Sequence, residues 1–511
     1  MKLKTLTTAM ILATVPMTGA FAAAMDRSGQ SIAAFLQPGN YFEAGISVLD
    51  PSVSGQEAGE APARRNINDM AGDYYFPSAA LKLQPTSKFS FGILYDQPFG
   101  ADAEYTGNNS FVSQPTDTIL PPALLDNLVL QQVETTLNSL TSQQLVGLAA
   151  QGLVAQQGIT PDNPAYNATV AATAAGIITQ AGGNVDAAAA AVRPQVQAGA
   201  LAQGQAQLAE TLENIPLGVG NTKVDVSTQN LTFLFGYQPT ENWNIYAGPV
   251  YQTVKGNLFL RGQAYSIFNG YDATMKETGD LGWLAGLAYQ IPEIALKASL
   301  TYRSEIDHEA DTTERLSAAA GLALIGVNPA DIVGTQGTTK ITTPQSVNLD
   351  FQTGIMANTV AFANVRWVEW SKFAIRPYQF GLASEAVGQL AAVNRPNGFN
   401  LVEYSDDQIS ATAGVGRKFN DLWAGNVSVG WDSGAGNPVS TLGPTEGYWN
   451  VGLGVQYSPT PATFIGGGVK YFWLGDAKSQ TAAQVGEDNR IVGDFSDNHA
   501  IAYGLKMGYR F

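Results

Sequence analysis

The 511-residue sequence has no cysteine and only two histidines, His308 and His499. Without cysteine there is no disulfide framework and no thiolate metal site, and two histidines cannot form a histidine cluster. The sequence also lacks a Gly-x-Ser-x-Gly elbow, a phosphate-binding glycine loop and a His-Glu-x-x-His motif. We therefore predict no catalytic residue, no metal site and no cofactor, and we do not expect an enzyme.

Charge is scarce as well, because Asp, Glu, Lys and Arg together make up 14% of the residues. The formal net charge of −16 argues against a nucleic-acid partner. Glycine is abundant, with 54 residues. A chain of this length could hold two or three soluble domains or one large barrel, and the composition favours a barrel whose outer surface carries little charge.

The amino-terminal residues 1–24 have the pattern of a secretory signal peptide. Lys2 and Lys4 precede an apolar run over residues 9–15, and small residues follow at 19–24. This run is too short to span a membrane, and no later segment is an unbroken apolar stretch of spanning length. An exported chain without a spanning helix is periplasmic, secreted or an outer-membrane barrel.

The last strand favours the barrel, because residues 500–511 alternate strictly in character. Large apolar residues at odd positions include Tyr503, Leu505 and Phe511, whereas the even positions hold small residues, Lys506 and Arg510. Such alternation places the two sets on opposite faces of a strand, one for lipid and one for a wet lumen. The alternative is the closing strand of a secreted β-sandwich.

We predict an all-β transmembrane barrel of about fourteen antiparallel strands over residues 41–511. The strands are expected near 41–50, 73–84, 88–97, 223–238, 243–261, 281–291, 293–307, 344–356, 359–375, 405–418, 422–433, 447–458, 462–475 and 498–511. Short turns follow the even strands and long segments follow the odd ones, as in barrels with periplasmic turns and extracellular loops. Both termini are therefore expected in the periplasm.

A large Ala- and Gln-rich insert, residues 98–222, follows the third predicted strand and is expected outside the cell. Residues 117–222 of it read as helices: Pro121 and Pro122 can open the first, and Thr141 can cap the second. Asp162 can cap a third, and a fourth is expected to be interrupted at Pro194. The insert could be a helical hairpin packed on the loops, a ligand-collecting lid or a partner-docking surface.

Several segments together resemble the FadL family of outer-membrane long-chain fatty acid transporters. They are FEAGISVLDPSVSG at 42–55, FSFGILYDQPFGADAEY at 89–105, LTYRSEI at 300–306, WSKF at 370–373 and SVGWDSGAGNP at 428–438. The resemblance implies the outer membrane of a Gram-negative bacterium. It also implies that loops capture a hydrophobic ligand, the barrel binds it, and a kink in the third strand releases it sideways.

The positions that match this kink, and so form the expected lateral gate, are Asp96, Gln97, Pro98, Phe99 and Gly100. Pro98 removes a donor from the strand ladder, although it could instead simply end the strand. The match departs at the amino terminus, where only residues 25–40 could serve as the hatch that plugs the lumen in the family. Met25, Asp26 and Arg27 are the residues there that could reach the lumen.

A fatty acid carries one anionic head group, so a lumen cation is its natural anchor. We predict that Arg303, Lys255, Arg366, Lys470 and Lys506 face the lumen and are candidate ligand-binding residues. The alternative for each is an ion pair that rigidifies the barrel, for example Arg303 with Asp350.

The function expected from this resemblance is passive uptake of hydrophobic molecules, with long-chain fatty acids first and aromatic hydrocarbons as an alternative. A general diffusion porin and a surface adhesion protein that uses the helical insert are competing interpretations. The expected partners are a hydrophobic small molecule, outer-membrane lipid and lipopolysaccharide, and the barrel-assembly machinery through the last strand, which ends at Phe511.

Overall fold

A computed structural model describes residues 25–61, 63–119, 122–213, 215–391, 393–484 and 490–511. The predicted signal peptide, residues 1–24, lies outside this part of the chain. Counting each interrupted strand once, fourteen antiparallel strands form a closed barrel, in which every strand pairs with the next. The last strand pairs with the first from Tyr41↔Arg510 to Ser52↔His499. The predicted fold class is therefore confirmed.

Five of the fourteen barrel strands are interrupted, and each of these five is given below as two segments. In chain order the strands are β1 (Tyr41–Ser52), β2 (Tyr74–Leu83), β3 (Phe89–Asp96 and Gly100–Glu104), β4 (Lys223–Tyr237), β5 (Trp243–Leu260), β6 (Tyr271–Ile291), β7 (Leu296–Arg303 and Ile306–Leu316), β8 (Thr338–Thr343 and Ser346–Met356), β9 (Thr359–Val368 and Ala374–Ile375), β10 (Val402–Glu403 and Gln408–Lys418), β11 (Trp423–Asp432), β12 (Tyr448–Tyr457), β13 (Thr463–Leu474) and β14 (His499–Arg510).

The alternation of the last strand has the predicted meaning. Leu505 is 50% exposed on the outside of β14, whereas Ala502 is 1% exposed on the inside. The outward face of β12 is formed in the same way by Trp449, Leu453 and neighbouring apolar residues. A closed barrel leaves no strand edge unpaired in lipid. The apolar residues on its outer face are suited to contact with lipid.

Connections alternate in length as predicted, and the long ones carry further structure. They hold a five-stranded sheet (Gly55–Glu57, Asn66–Ile67, Val439–Ser440, Ala477–Gln480 and Gly493–Phe495), helix Tyr378–Gly388 and short 3-10 helices (Gln263–Phe268, Ser317–Ile325, Pro329–Asp331 and Trp370–Lys372). One more 3-10 helix, Pro292–Ile294, forms a short turn. Aromatic residues such as Phe268, Phe380 and Phe399 give the long connections one apolar core.

Strands β6, β7 and β8 extend further from the short turns than the sequence predicted. The upper part of β7 carries Asp307, Glu309 and Asp311 on its outward face, all of them exposed. A lipid-facing strand cannot carry such a row, so the apolar alternation ends where the strand leaves the membrane. The predicted boundaries therefore marked the membrane-facing part of these strands and missed their extracellular extensions.

Residues 118–217 form a second compact unit, made of helices α1 (Pro122–Ser139), α2 (Ser142–Gln156), α3 (Tyr166–Gln180) and α4 (Val185–Glu213). Thr141 caps α2 as predicted, in a capping box with Gln144. Two expectations were wrong: α4 continues through Pro194, and the residue that caps α3 is Ala165, with no side-chain cap from Asp162. None of the described helices is both long and apolar enough to cross a membrane.

Candidate functional site

The amino-terminal segment, defined as residues 25–40, lies inside the barrel. Ile32, Phe35 and Leu36 are buried against the inner faces of β2 to β7 in one apolar cluster. The Phe35 ring meets Tyr246 edge-on, with 5.8 Å between ring centroids. Gly92 on β3 leaves the space that this ring occupies, because an added Cβ would lie 2.5 Å from it.

The upper part of the amino-terminal segment is held by buried polar contacts to the lumen cations. Arg366 Nε lies 2.6 Å from Asp26 Oδ2, and its Nη2 donates to Gln30 Oε1 at 3.0 Å. Arg303 Nη2 donates to the carbonyl oxygen of Gln30. Asn348 Nδ2 donates to the carbonyl oxygen of Gly29 at 2.8 Å. The guanidinium groups thus bind the chain's own amino-terminal segment.

Two lysines hold the lower part of the same segment. Lys297 Nζ donates to the carbonyl oxygen of Leu36 at 2.9 Å, and Lys82 Nζ donates to that of Gln37. Leu36 and Gln37 end a short turn over residues 32–37. Carbonyl oxygens at the end of such a turn favour a cation. The sequence analysis did not select either lysine, although Lys297 lies on the same strand face as Arg303.

The predicted lateral-gate residues lie at a real interruption of β3. The strand stops at Asp96 and resumes at Gly100, so Pro98 interrupts the strand and does not end it. On one side β3 stays bonded to β4, because the amide of Phe99 donates to Thr228 Oγ1 at 2.9 Å. On the other side, the pairing with β2 ends at Ala79↔Tyr95.

Residues 74–78 of β2 and 96–100 of β3 therefore face each other without ladder pairs, and we call this stretch the β2–β3 gap. It closes again above, where Ala71 and Ala103 form an isolated antiparallel bridge. A cavity of about 110 Å³ lies in the β2–β3 gap. Its lining extends from Ser28 and Arg303 inside the barrel to Pro77, an exposed residue of β2.

The amino-terminal segment occupies the free edge of β3 in this gap. The amide of Arg27 donates to the carbonyl oxygen of Pro98 at 2.6 Å, and the amide of Gly100 donates to that of Met25 at 2.9 Å. Ser28 Oγ donates to the carboxylate of Asp96. These residues take the place that a continuous β2–β3 ladder would have filled.

Within the gap, Phe99 belongs to an apolar cluster with Met25, Met275, Trp370 and Phe373. The rings of Phe99 and Trp370 meet edge-on with 5.4 Å between centroids. The cavity beside Met25 in this cluster is small, with a volume of about 10 Å³. The kink residues thus lie between this apolar cluster and the cavity of about 110 Å³, which we call the lateral cavity.

Of the five predicted lumen cations, the structure places four inside the barrel: Arg303, Arg366, Lys470 and Lys506. The prediction for Lys255 was wrong, because this residue is exposed on the outer face of β5 with Tyr251, while Gln252 and Val254 point inward. Period-2 alternation assigns it to that face. The ion pair of Arg303 with Asp350 is also not formed, since Arg303 binds Gln30 instead.

A second interruption of the wall, which the sequence analysis missed, separates β6 from β7. Their pairing stops at Arg303↔Leu284 and returns at Thr312↔Met275, and we call the stretch between them the β6–β7 gap. Buried His308 fills it, with Nε2 3.0 Å from Gln252 Oε1. A cavity of about 10 Å³ remains there.

Comparison with known proteins gives the family. Residues 199–511, more than half of the chain, match the family described as outer membrane protein transport protein (OMPP1/FadL/TodX). A comparison with curated proteins finds no match.

Two solved structures are similar in fold. A Pseudomonas aeruginosa FadL homologue aligns at 11% identity over 96% of each chain, with a TM-score of 0.56. The P. putida toluene transporter TodX aligns at 11% identity over 94% of this chain and 91% of its own, with a TM-score of 0.50. At these identities the two structures show a shared fold, whereas the family match covers more than half of the chain. The chain is therefore an outer-membrane transport protein that belongs to the OMPP1/FadL/TodX family.

Proposed function

We propose that the chain takes up hydrophobic molecules, with long-chain fatty acids as the main substrate, and releases them sideways through the β2–β3 gap. The observation that carries this proposal is the position of Phe99. Its side chain lies in the apolar cluster, while its neighbours Asp96 and Gln97 line the lateral cavity. A ligand that leaves the cluster at the kink therefore meets an interruption in the barrel wall.

An acyl chain gains by following this route and not a wet channel. Transfer of each methylene into an apolar environment is worth about 0.8 kcal/mol, which a water-filled lumen would forfeit. In this structure the amino-terminal segment closes the route, because Met25 fills the apolar cluster and Arg27 bonds to the kink. Transport thus requires residues 25–30 to move away from β3.

The surroundings of Arg303 support fatty acids over neutral hydrocarbons, because a fatty acid carries an anionic head group. Arg303 lines the lateral cavity, and within the described residues its Nη1 atom is buried without a hydrogen-bond partner. An unsatisfied buried donor on a guanidinium group is costly, and a carboxylate would satisfy it. A neutral hydrocarbon has no oxygen atom to accept a hydrogen bond from this group.

The proposal includes the surroundings of the barrel. We propose that the extracellular loops collect the ligand and that lipopolysaccharide and lipid cover the outer face. The carboxy-terminal strand, with Phe511 54% exposed at its end, is proposed to be recognised by the barrel-assembly machinery.

The test is binding of a fluorescent long-chain fatty acid to the detergent-purified protein, with oleate and toluene as competitors. Arg303→Met is compared with Arg366→Met, because both variants loosen the amino-terminal segment but Arg303 alone of the two lines the lateral cavity. We expect oleate to displace the probe, and Arg303→Met to weaken oleate binding more than Arg366→Met does.

Three outcomes would contradict the proposal in different ways. Displacement by toluene alone would make aromatic hydrocarbons the substrate. Equal effects of the two variants on oleate would remove Arg303 as the head-group anchor. A protein without saturable binding of either compound, but with ion conductance in planar bilayers, would be a diffusion porin.

A further inference from the structure

A second, larger cavity occupies the lower half of the lumen, beneath the amino-terminal segment. Its volume is about 460 Å³, within the range of ordinary ligand sites. Pro292 and Ala295, which belong to a short periplasmic turn, line it below. We call it the periplasmic cavity.

The sequence creates this space by placing residues without side chains on the inner wall. Gly452 and Gly454 of β12 and Gly468 of β13 all line the cavity. They occupy inward positions, where alternation would otherwise direct side chains into the lumen. The amino-terminal segment lines the opposite side with residues that include Ile32, Leu36 and Pro38.

Cations outnumber carboxylates around the cavity. Lys297, Lys470 and Lys506 line it, whereas Glu43 and Asp350 are the carboxylates among its described lining residues. Lys506 Nζ lies 3.4 Å from Glu43 Oε2. Asp350 is occupied separately, because it accepts hydrogen bonds from Asn364 at 2.8 Å and from Ser299 at 3.3 Å.

Two further cations reinforce the excess of positive charge. Lys297 lies within electrostatic range of both Lys82 and Arg510. Lys82 binds a backbone carbonyl, not a carboxylate. In the described part of the chain, Nε and Nη2 of Arg510 are buried without hydrogen-bond partners. A buried cation that binds a neutral carbonyl, as Lys82 does, is stabilised by a nearby anion.

We propose that the periplasmic cavity is a second binding site, separate from the lateral route, for a small carboxylate with an apolar body. The lysines would hold the carboxylate, and Ile32, Leu36 and Phe362 would contact the apolar part. The site lies beside the amino-terminal segment and is present without any movement of that segment. It shares five lining residues with the lateral cavity, so the two sites are neighbours: Ser31, Ala33, Ala34, Glu43 and Lys506.

Because the chain has no cysteine, a single introduced thiol can probe this site in the full-length protein. Ser428→Cys places the thiol on the cavity wall, and Ser87→Cys places a control thiol on an exposed periplasmic turn. The rates of reaction with an anionic and a cationic methanethiosulfonate reagent of similar size are measured for both. Barrel folding is checked by heat-modifiable migration in SDS gels.

We expect the ratio of anionic to cationic rates to be about tenfold higher at Ser428→Cys than at Ser87→Cys, because like-signed walls concentrate counter-ions. Lys470→Met in the Ser428→Cys background should lower that ratio. Octanoate, but not octanol, should slow labelling of Ser428→Cys. Equal ratios at the two thiols, or equal protection by octanol, would overturn the proposal. The comparison of the two thiols stands even if Lys470→Met fails to fold.

Since the proposed lateral route depends on Arg303 and the β2–β3 gap, failure of this test leaves that proposal untouched. Conversely, the thiol measurements keep their meaning if the fluorescent fatty acid does not bind. The two sites are therefore tested independently.

Discussion

The β2–β3 gap and the β6–β7 gap are both places where neighbouring barrel strands stop pairing, yet they are filled differently. A separate stretch of chain fills the first, where Met25 and Arg27 bond to the edge of β3 beside a cavity of about 110 Å³. Side chains of the wall itself, His308 and Ile306 among them, fill the second, beside a cavity of about 10 Å³.

This difference shows that a missing ladder does not by itself make a portal. Residues 25–30 are held by hydrogen bonds, apolar contacts of Met25 and the Asp26–Arg366 ion pair, and their departure breaks no strand pairing of the barrel. The His308 side chain cannot leave without moving β7, which is paired with β8 from Ile306↔Thr343 to Asp311↔Thr338. We therefore expect only the β2–β3 gap to transmit ligand.

The largest effect is expected from filling each gap with the same side chain. Ser78→Trp would occupy the lateral cavity of the β2–β3 gap, and Ser304→Trp would occupy the β6–β7 gap. Uptake of a fluorescent fatty acid by cells that express each variant at equal surface level should be lost in Ser78→Trp and kept in Ser304→Trp. Loss of uptake in Ser304→Trp alone would reverse the assignment of the portal.

The next effect comes from releasing the segment that fills the β2–β3 gap. Asp26→Ala leaves the buried Arg366 guanidinium without its carboxylate partner, a change that typically costs about 3–5 kcal/mol. We expect residues 25–30 to detach from β3 and ion conductance in planar bilayers to rise. The matched control is Asp421→Ala, which breaks an exposed pair with Lys418 and should leave conductance unchanged.

The sequence predicted the features of the barrel that lipid imposes and missed those that depend on the lumen. Alternation revealed the outward face of β14 and the parity of the connections because both repeat along the chain. The pair Asp26–Arg366 joins residues 340 positions apart in the sequence, and no local pattern marks such a contact. The family resemblance located the break at Pro98, whereas no comparable proline lies at residues 304 and 305 of β7.

The same limit explains the lumen cations. Strand parity is enough to place Arg303 and Arg366 inside, but their partners come from a segment without regular structure. Lys82 was overlooked because its interaction with the carbonyl of Gln37 depends on how residues 32–37 turn. Sequence periodicity therefore gives the direction of a side chain and not the group that it meets.

A smaller effect is expected from the side chain that fills the β6–β7 gap. His308→Ala removes a buried ring that bonds to Gln252, at a cost of about 1–3 kcal/mol, and should lower the melting temperature. Uptake should remain at the wild-type level, since this gap is not the portal. His499→Ala, at the other and exposed histidine, is the matched control for stability. Increased uptake of the fatty acid in His308→Ala would instead show that the β6–β7 gap can open.

The smallest effect on uptake is expected from removing the helical unit. Replacement of residues 118–217 by a short Gly-Ser linker should be tolerated locally, because Val112 and Asn221 already form a bridge between the flanking segments. If the β2–β3 gap sets the rate of transport, uptake of the fatty acid should stay close to that of the wild type. A protein that keeps its barrel and its uptake but loses adhesion to a cell or protein partner would assign the helical unit a separate role. A loss of uptake as large as that of Ser78→Trp would instead make the unit part of the ligand path, and the rate of transport would then not depend on the gap alone.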